Sequence, residues 1–218
     1  MICGIDESGR GPVVGPLVIA GVKIEDEFKI LKYDIKDSKK LRPKKRQYLA
    51  NRIMKIVEKY KTIVIPARDI DDMRKTFTLN EIEVFAFAQI INELKPKICY
   101  VDSADVNEKR FGNNILSNLS YRPKMISRHK ADSIFPIVSA ASILAKVKRD
   151  EEIMRISKQL EKKINLPLGS GYPSDIITKK FILSWFDKYN ELPPHTRHSW
   201  KTAQNILKEK HNKKIGDF

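Results

Sequence analysis

The chain has 218 residues, 41% of them hydrophobic, and two cysteines. A chain of that size buries a core without disulfides or a structural metal, so a disordered protein and a disulfide-stapled one are both excluded. Lysine and arginine number 42 against 27 acids, a formal charge of +15; such a surplus points to a polyanion, whose neutralised phosphates release counterions, with an acidic membrane surface as the rival partner.

In chain order, residues 1–6 read as a strand that runs into Asp6 and Glu7. This opening has no signal-peptide core, and no apolar run is long enough to span a bilayer, so a soluble, cytoplasmic protein is expected. Val13 to Ile24 is β-branched and apolar and reads as a second strand paired to the first. Pro43 opens a helix, with Tyr48, Leu49, Ile53, Ile56 and Val57 at helical spacing. Thr62 to Ile65 is a short strand closed by Pro66. Leu79 to Leu94 is a helix with Ile82, Phe85, Ala86, Ile90 and Leu94 on one face, and Ile98 to Val101 is a buried strand ending at Asp102. Glu108 to Leu119 reads as a helix and Pro123 to Ser127 as a short strand.

Phe135 to about Ile164 is a long helix, rich in small residues early and charged later. Leu168 to Ser174 is a loop on its Gly and Pro content. Helices are expected over Asp175–Tyr189 and Ser199–Lys210, followed by a loose basic tail from His211 to Phe218. Cys3 and Cys99 sit in apolar, strand-like stretches and are expected in the core. Strands come first and helices take over after residue 130, which describes an α/β fold with a helical C-terminal part.

The chemistry lies in acids at strand ends. Asp6 and Glu7 follow one strand, Asp102 another, and Asp132 stands just before the long helix. Carboxylates at strand ends of an α/β sheet gather along one edge, where open sheets place their sites. Gathered carboxylates repel, so they protonate or recruit cations, and Mg²⁺ takes carboxylate oxygens together with water and phosphate. Taken alone, Asp132 reads equally well as a helix cap, and Asp105 reads as a turn or cap residue. Asp6 and Glu7 run into Ser8-Gly9-Arg10-Gly11, where glycines admit a ligand close to the backbone and Arg10 adds a phosphate-binding fork.

Five blocks in order resemble the ribonuclease HII family, its archaeal members in particular. They are Gly4 to Pro12 with Ser8 where Ala is more usual, Asp37 to Leu41, Val101 to Val106, His129 to Asp132 with Val138 to Lys146, and Gly169 to Asp175. The resemblance covers nearly the whole chain. It implies a ribonuclease H-like mixed sheet flanked by helices. It also implies an endoribonuclease that cuts the RNA strand of RNA–DNA hybrids and cuts at ribonucleotides embedded in duplex DNA. The implied reaction is two-metal-ion phosphodiester hydrolysis with Mg²⁺ or Mn²⁺, leaving 3′-hydroxyl and 5′-phosphate ends. By the family pattern Asp6, Glu7, Asp102 and Asp132 are the catalytic, metal-binding carboxylates. Gly9, Arg10 and Gly11 would contact the ribose 2′-hydroxyl, and Tyr172 would stack on the neighbouring deoxyribose.

Ser38, Lys39, Lys40 and Lys146 are candidates for phosphate contact, although lysines on a solvated face look the same in sequence. The stretch Val138 to Ala145 reads as tight helix packing. Asn212, Ile215 and Phe218 partly resemble a sliding-clamp-binding motif, with Asn where Gln is expected and a single aromatic; an ordinary basic tail is the alternative. The expected organisation is a catalytic domain over residues 1–165, a helical part over 166–210 carrying the Tyr172 loop, and a tail over 211–218, acting as a monomer. Two other functions compete: a different nuclease of the same fold, such as a junction resolvase, and a non-catalytic nucleic-acid binder.

Overall fold

The computed structural model describes residues 1–32 and 41–216, with side chains described through Glu209. In chain order the elements are β1 (Ile2–Ser8), β2 (Leu17–Ile24), α1 (Phe28–Leu31), α2 (Pro43–Ile56), β3 (Lys59–Ile65), α3 (Ala67–Met73), α4 (Leu79–Leu94), β4 (Ile98–Asp102), α5 (Glu108–Ser117), β5 (Lys124–Arg128), α6 (Ala131–Ile134), α7 (Pro136–Ile164), α8 (Ile176–Tyr189) and α9 (Lys201–Gly216). The chain forms two compact units, one of Met1–Ser8, Val18–Val64 and Phe77–Arg149, the other of Gly9–Leu17, Ile65–Thr76 and Asp150–Phe218.

The first unit is built on a mixed five-stranded sheet in the order β3-β2-β1-β4-β5. β1 is central; it pairs antiparallel with β2, Ile5 opposite Gly21, and parallel with β4, Ile5 opposite Val101. β4 pairs parallel with β5, Val101 opposite Ser127. Parallel neighbours need a crossover, and α5 provides the one between β4 and β5. Because β1 and β4 run the same way in matched register, Asp6, two residues before the end of β1, and Asp102, the last residue of β4, lie toward the same edge of the sheet.

The core here is aliphatic: Val18, Ala20, Val22, Leu49, Ile53, Val138, Ala141 and Leu144 are buried together. The start of α7 approaches β1 so closely at Gly4 that a methyl group there would lie 2.4 Å from the backbone of Ile137, and the small residues that follow, Ser139 to Ser142, are buried. That is the tight packing expected of Val138 to Ala145. Cys3 and Cys99 are adjacent in the register, fully buried and free. α4 starts where it does because Thr78 and Glu81 close a capping box, each satisfying an amide of the other.

The second unit packs Val13, Val14, Ile156, Leu160, Leu168, Phe181, Ile182, Trp185 and Ala203 into its own core. This corrects the expected extent of the second strand. β2 begins at Leu17, and the amides of Val13 and Val14 instead donate to the carbonyl of Gly171, at 2.8 and 3.2 Å. Pro12 and Pro16 have no amide to give a ladder, and Gly15 turns the chain with φ +102°. β3 starts three residues earlier than expected, because its first residues are exposed and polar and carry no apolar signal. The short helices α1 and α3 carry too little periodicity to be read in advance. The backbone of α9 continues helical to Gly216, through residues expected to form a loose tail. Ser38, Lys39, Lys40 and Phe218 lie outside the described residues.

Candidate active site

In the first unit Asp6, Asp102 and Asp132 each place a carboxylate oxygen within 4.8 Å of the other two, the one such group of acids, histidines or cysteines among the described residues. Three elements converge to do this. β1 delivers Asp6, the end of β4 delivers Asp102, and the first turn of α6 delivers Asp132. Asp102 fastens the last two together, its Oδ1 accepting from the amide of Ala131 at 3.0 Å. Lys130 makes the turn into α6 with φ +54°, and no side chain caps that helix, so Asp132 is not a cap.

Glu7 stands outside this group of three. Along a strand successive side chains alternate between faces, and Glu7 follows Asp6 on β1. Its charge is nevertheless felt. Burial pushes the Asp6 carboxyl well above its ordinary pKa, and the charges of Glu7 and Asp102 push it further. Against them act a hydrogen bond from Ser142 and the charge of Lys146. Ser142 and Lys146 are one turn apart on α7, and the Lys146 Nζ donates to the Ser142 Oγ at 2.6 Å. The structure therefore places Lys146 beside the acids through Ser142, a residue the sequence reading passed over as packing. Its signal was present in the four-residue spacing from Lys146.

Asp105 is the turn residue it resembles. It accepts from the amide of Asn107 at 3.0 Å and from Nε of Arg110 at 2.9 Å, and the guanidinium beside it lowers its carboxyl to about 2.

The second unit holds Gly9, Arg10, Gly11 and Tyr172. A methyl group on Gly11 would sit 3.5 Å from Cε1 of Tyr172, so the ring edge lies against the glycine loop. The Tyr172 loop is tied down from several sides. Asp175 caps α8 by accepting from the amide of Ile177 at 2.9 Å, and its other oxygen accepts from the amide and hydroxyl of Ser170 at 2.8 and 2.7 Å. Hydrogen bonds from Ser170 hold the Asp175 carboxyl down at about 2. Thr178 accepts from the amide of Gly171 and donates to the carbonyl of Leu168, both at 3.0 Å. Gly171, at φ +81°, has no room for a side chain: a methyl would meet the Val14 carbonyl oxygen at 2.6 Å. Sequence reading also missed Arg197, which is fully buried in this unit.

The acids suit a hard divalent cation. Oxygen ligands opposite one another on an Mg²⁺ ion lie about 4.2 Å apart, close to the spacing seen here. A sequence model of the ribonuclease HII family matches residues 3–203.

The chain belongs to the ribonuclease HII family.

Among its relatives, the ribonuclease HII of Thermococcus sibiricus is 48% identical over 224 residues, covering 99% of this chain and 96% of that one. A crystal structure of the ribonuclease H2 from Pyrococcus horikoshii superposes with TM-score 0.88 at 39% identity, over 95% of this chain and 97% of that one. A ribonuclease HII from Archaeoglobus fulgidus, solved in a PCNA:RNase HII complex, gives TM-score 0.85 at 40% identity, over 94% and 96% of the two chains. Membership in the ribonuclease HII family makes this chain an endoribonuclease of the H2 type, a divalent-metal-dependent hydrolase acting on RNA in RNA–DNA hybrids, on a ribonuclease H fold. No helix among the described residues is long and apolar enough to cross a membrane.

Proposed function

We propose that this ribonuclease HII cleaves at ribonucleotides embedded in duplex DNA as well as within hybrids, as a monomer, leaving 3′-hydroxyl and 5′-phosphate ends. The observation that carries the reading is the convergence of Asp6, Asp102 and Asp132 to within 4.8 Å. Asp6, Glu7, Asp102 and Asp132 are the residues to hold two divalent cations, Mg²⁺ or Mn²⁺. Bound there, the cations supply charge neutralisation at the scissile phosphate and favour ionised water as nucleophile. A hydrogen bond from Ser142 and the charge of Lys146 favour the ionised form of Asp6, against the burial and neighbouring acids that raise its pKa, and the Lys146–Ser142 hydrogen bond keeps the pair together.

Gly9, Arg10 and Gly11 take the ribose 2′-hydroxyl, donor and acceptor at once and the feature that distinguishes RNA from DNA. Tyr172 offers an aromatic face to the adjacent deoxyribose, where a 2′-hydroxyl would crowd it. Lys146, with Ser38, Lys39 and Lys40, contacts phosphates, and the net charge of +15 makes binding salt-dependent. The test is a duplex carrying one ribonucleotide. Asp102→Asn and Asp132→Asn are expected to lower turnover more than about 100-fold while duplex affinity stays within about 3-fold, because phosphate contacts dominate it. Near-normal rates in both variants with either metal would remove the site assignment. Equal cleavage of all-DNA duplexes would favour a junction resolvase, and binding without cleavage a non-catalytic protein.

The tail residues Asn212, Ile215 and Phe218 are read as a clamp-binding segment. The PCNA complex of the Archaeoglobus relative supports this reading. Deletion of residues 212–218 is expected to abolish PCNA capture; equal capture with and without the segment would end the idea.

A further inference from the structure

Arg197 is a fully buried arginine in the second unit. Its donors fan out to backbone carbonyls of a single distant loop. Nη2 donates to Gly9 O at 2.6 Å, Nη1 to Arg10 O at 3.0 Å and Nε to Gly15 O at 2.9 Å. Its own amide donates to Val13 O at 2.8 Å. The guanidinium also sits 4.6 Å from the ring centroid of Trp200, a face that favours a cation. One side chain thus fixes both ends of the segment Gly9–Gly15.

We propose that Arg197 is a positioning residue of this ribonuclease: by drawing the Gly9 and Arg10 carbonyls inward it turns the Arg10 and Gly11 amides outward, toward the ribose. In a trans peptide the C=O and the following N–H point in opposite directions. Carbonyls 9 and 10 aimed at the guanidinium therefore aim amides 10 and 11 away from it. Arg10 is half-buried and Gly11 exposed, while Gly9 is buried, so the loop turns from the interior to the surface at these residues. Gly9 makes the turn with φ +90°, which a side chain would strain. Three carbonyls at different angles need the planar fork of arginine; the ammonium of lysine, a compact point charge, does not span them. The proposal rests on the reading that Gly9 to Gly11 contacts the 2′-hydroxyl.

The experiment compares Arg197→Lys, Arg197→Gln, Gly9→Ala and the double variant Arg197→Lys with Gly9→Ala. Ile206→Ala, a core truncation in the same unit, serves as a stability control. Each is assayed where circular dichroism shows it folded, on a duplex with one ribonucleotide. Both Arg197 variants are expected to lose about 100-fold in kcat, the effect of misplacing a positioning group by about 1 Å. All-DNA duplex affinity and Mn²⁺ binding are expected unchanged, and Ile206→Ala to stay near the wild-type rate. Because both changes act through one loop, the double variant is expected to lose little more than either single one. If neither Arg197 variant folds, Trp200→Leu decides, since it keeps the guanidinium and removes the plate under it; it is expected to lose activity in the same selective way. Gly9→Ala cutting as well as wild type would refute the reading of the loop. An impaired Gly9→Ala beside an unimpaired Arg197→Lys or Trp200→Leu, or losses that multiply in the double variant, would leave that reading standing and overturn the role given to Arg197.

Discussion

Gly4→Ala tests how the strand bearing Asp6 is joined to α7. The new methyl would lie 2.4 Å from the carbonyl carbon and oxygen of Ile137 and 2.6 Å from the amide nitrogen of Val138. Non-bonded carbon contacts settle at about 3.5–4.0 Å, so α7 must withdraw by roughly 1 Å. The atoms met are backbone, and no side-chain rotation relieves them. Overpacking costs about 1–3 kcal/mol, and a clash with backbone belongs at the upper end. At about 2–4 °C per kcal/mol for a chain of this size, Tm falls by about 6–12 °C. α7 also carries Ser142, whose hydroxyl steadies Asp6, so withdrawal loosens the acids and cleavage drops about 10-fold or more. Leu94→Ala is the control: Leu94 is fully buried at the end of α4, and its truncation costs about 2–5 kcal/mol without touching the acids. Thermal unfolding by circular dichroism and initial rates on a single-ribonucleotide duplex, taken well below both midpoints, make the assay. A Tm within about 2 °C of wild type, or a rate loss no larger than that of Leu94→Ala, would refute the reasoning.

Mn²⁺ at about 100 times its Kd is expected to stabilise the protein by about 2.7 kcal/mol, raising Tm by about 5–11 °C. Asp132→Asn should erase most of that gain; an undiminished rise would show that the cation sits elsewhere. Asp105 and Asp175 are both held at about 2, below an ordinary 3.8, so each contributes stability above its ordinary value that is lost as pH falls through the lowered one. Asp105→Asn and Asp175→Asn are expected to be less stable than wild type at neutral pH, with the deficit shrinking on acidification toward about pH 2. A deficit independent of pH, read by urea denaturation, would contradict the assigned partners.

Strong local patterns made much of the fold legible in advance. Leu79 to Leu94 showed an apolar face at helical spacing and Ile98 to Val101 an apolar run closed by Asp102, patterns that hold in any tertiary setting. Asp6 and Asp102 could be named because each follows an apolar run that reads as a strand, although β1 continues past Asp6 to Ser8; parallel pairing of β1 with β4 then carries both to one edge. Val13 to Pro16 could not be placed, because their apolar character suits a strand as well as the second core they join. Ser142 looked like packing because it is packed, fully buried among alanines, and its bond to Asp6 depends on how α7 crosses β1.

The order of residues alone determined the family and marked the acids, the glycine loop and the tyrosine loop as candidates, since each is a short run whose chemistry is local. Tertiary structure alone decided that Arg197 reaches back more than 180 positions to hold Gly9, Arg10 and Gly15, and that Asp132 joins the acids instead of capping a helix. The physical reason is the same in both cases. A buried polar group must find partners, and which ones it finds is set by what folding brings within about 3 Å, not by neighbours along the chain.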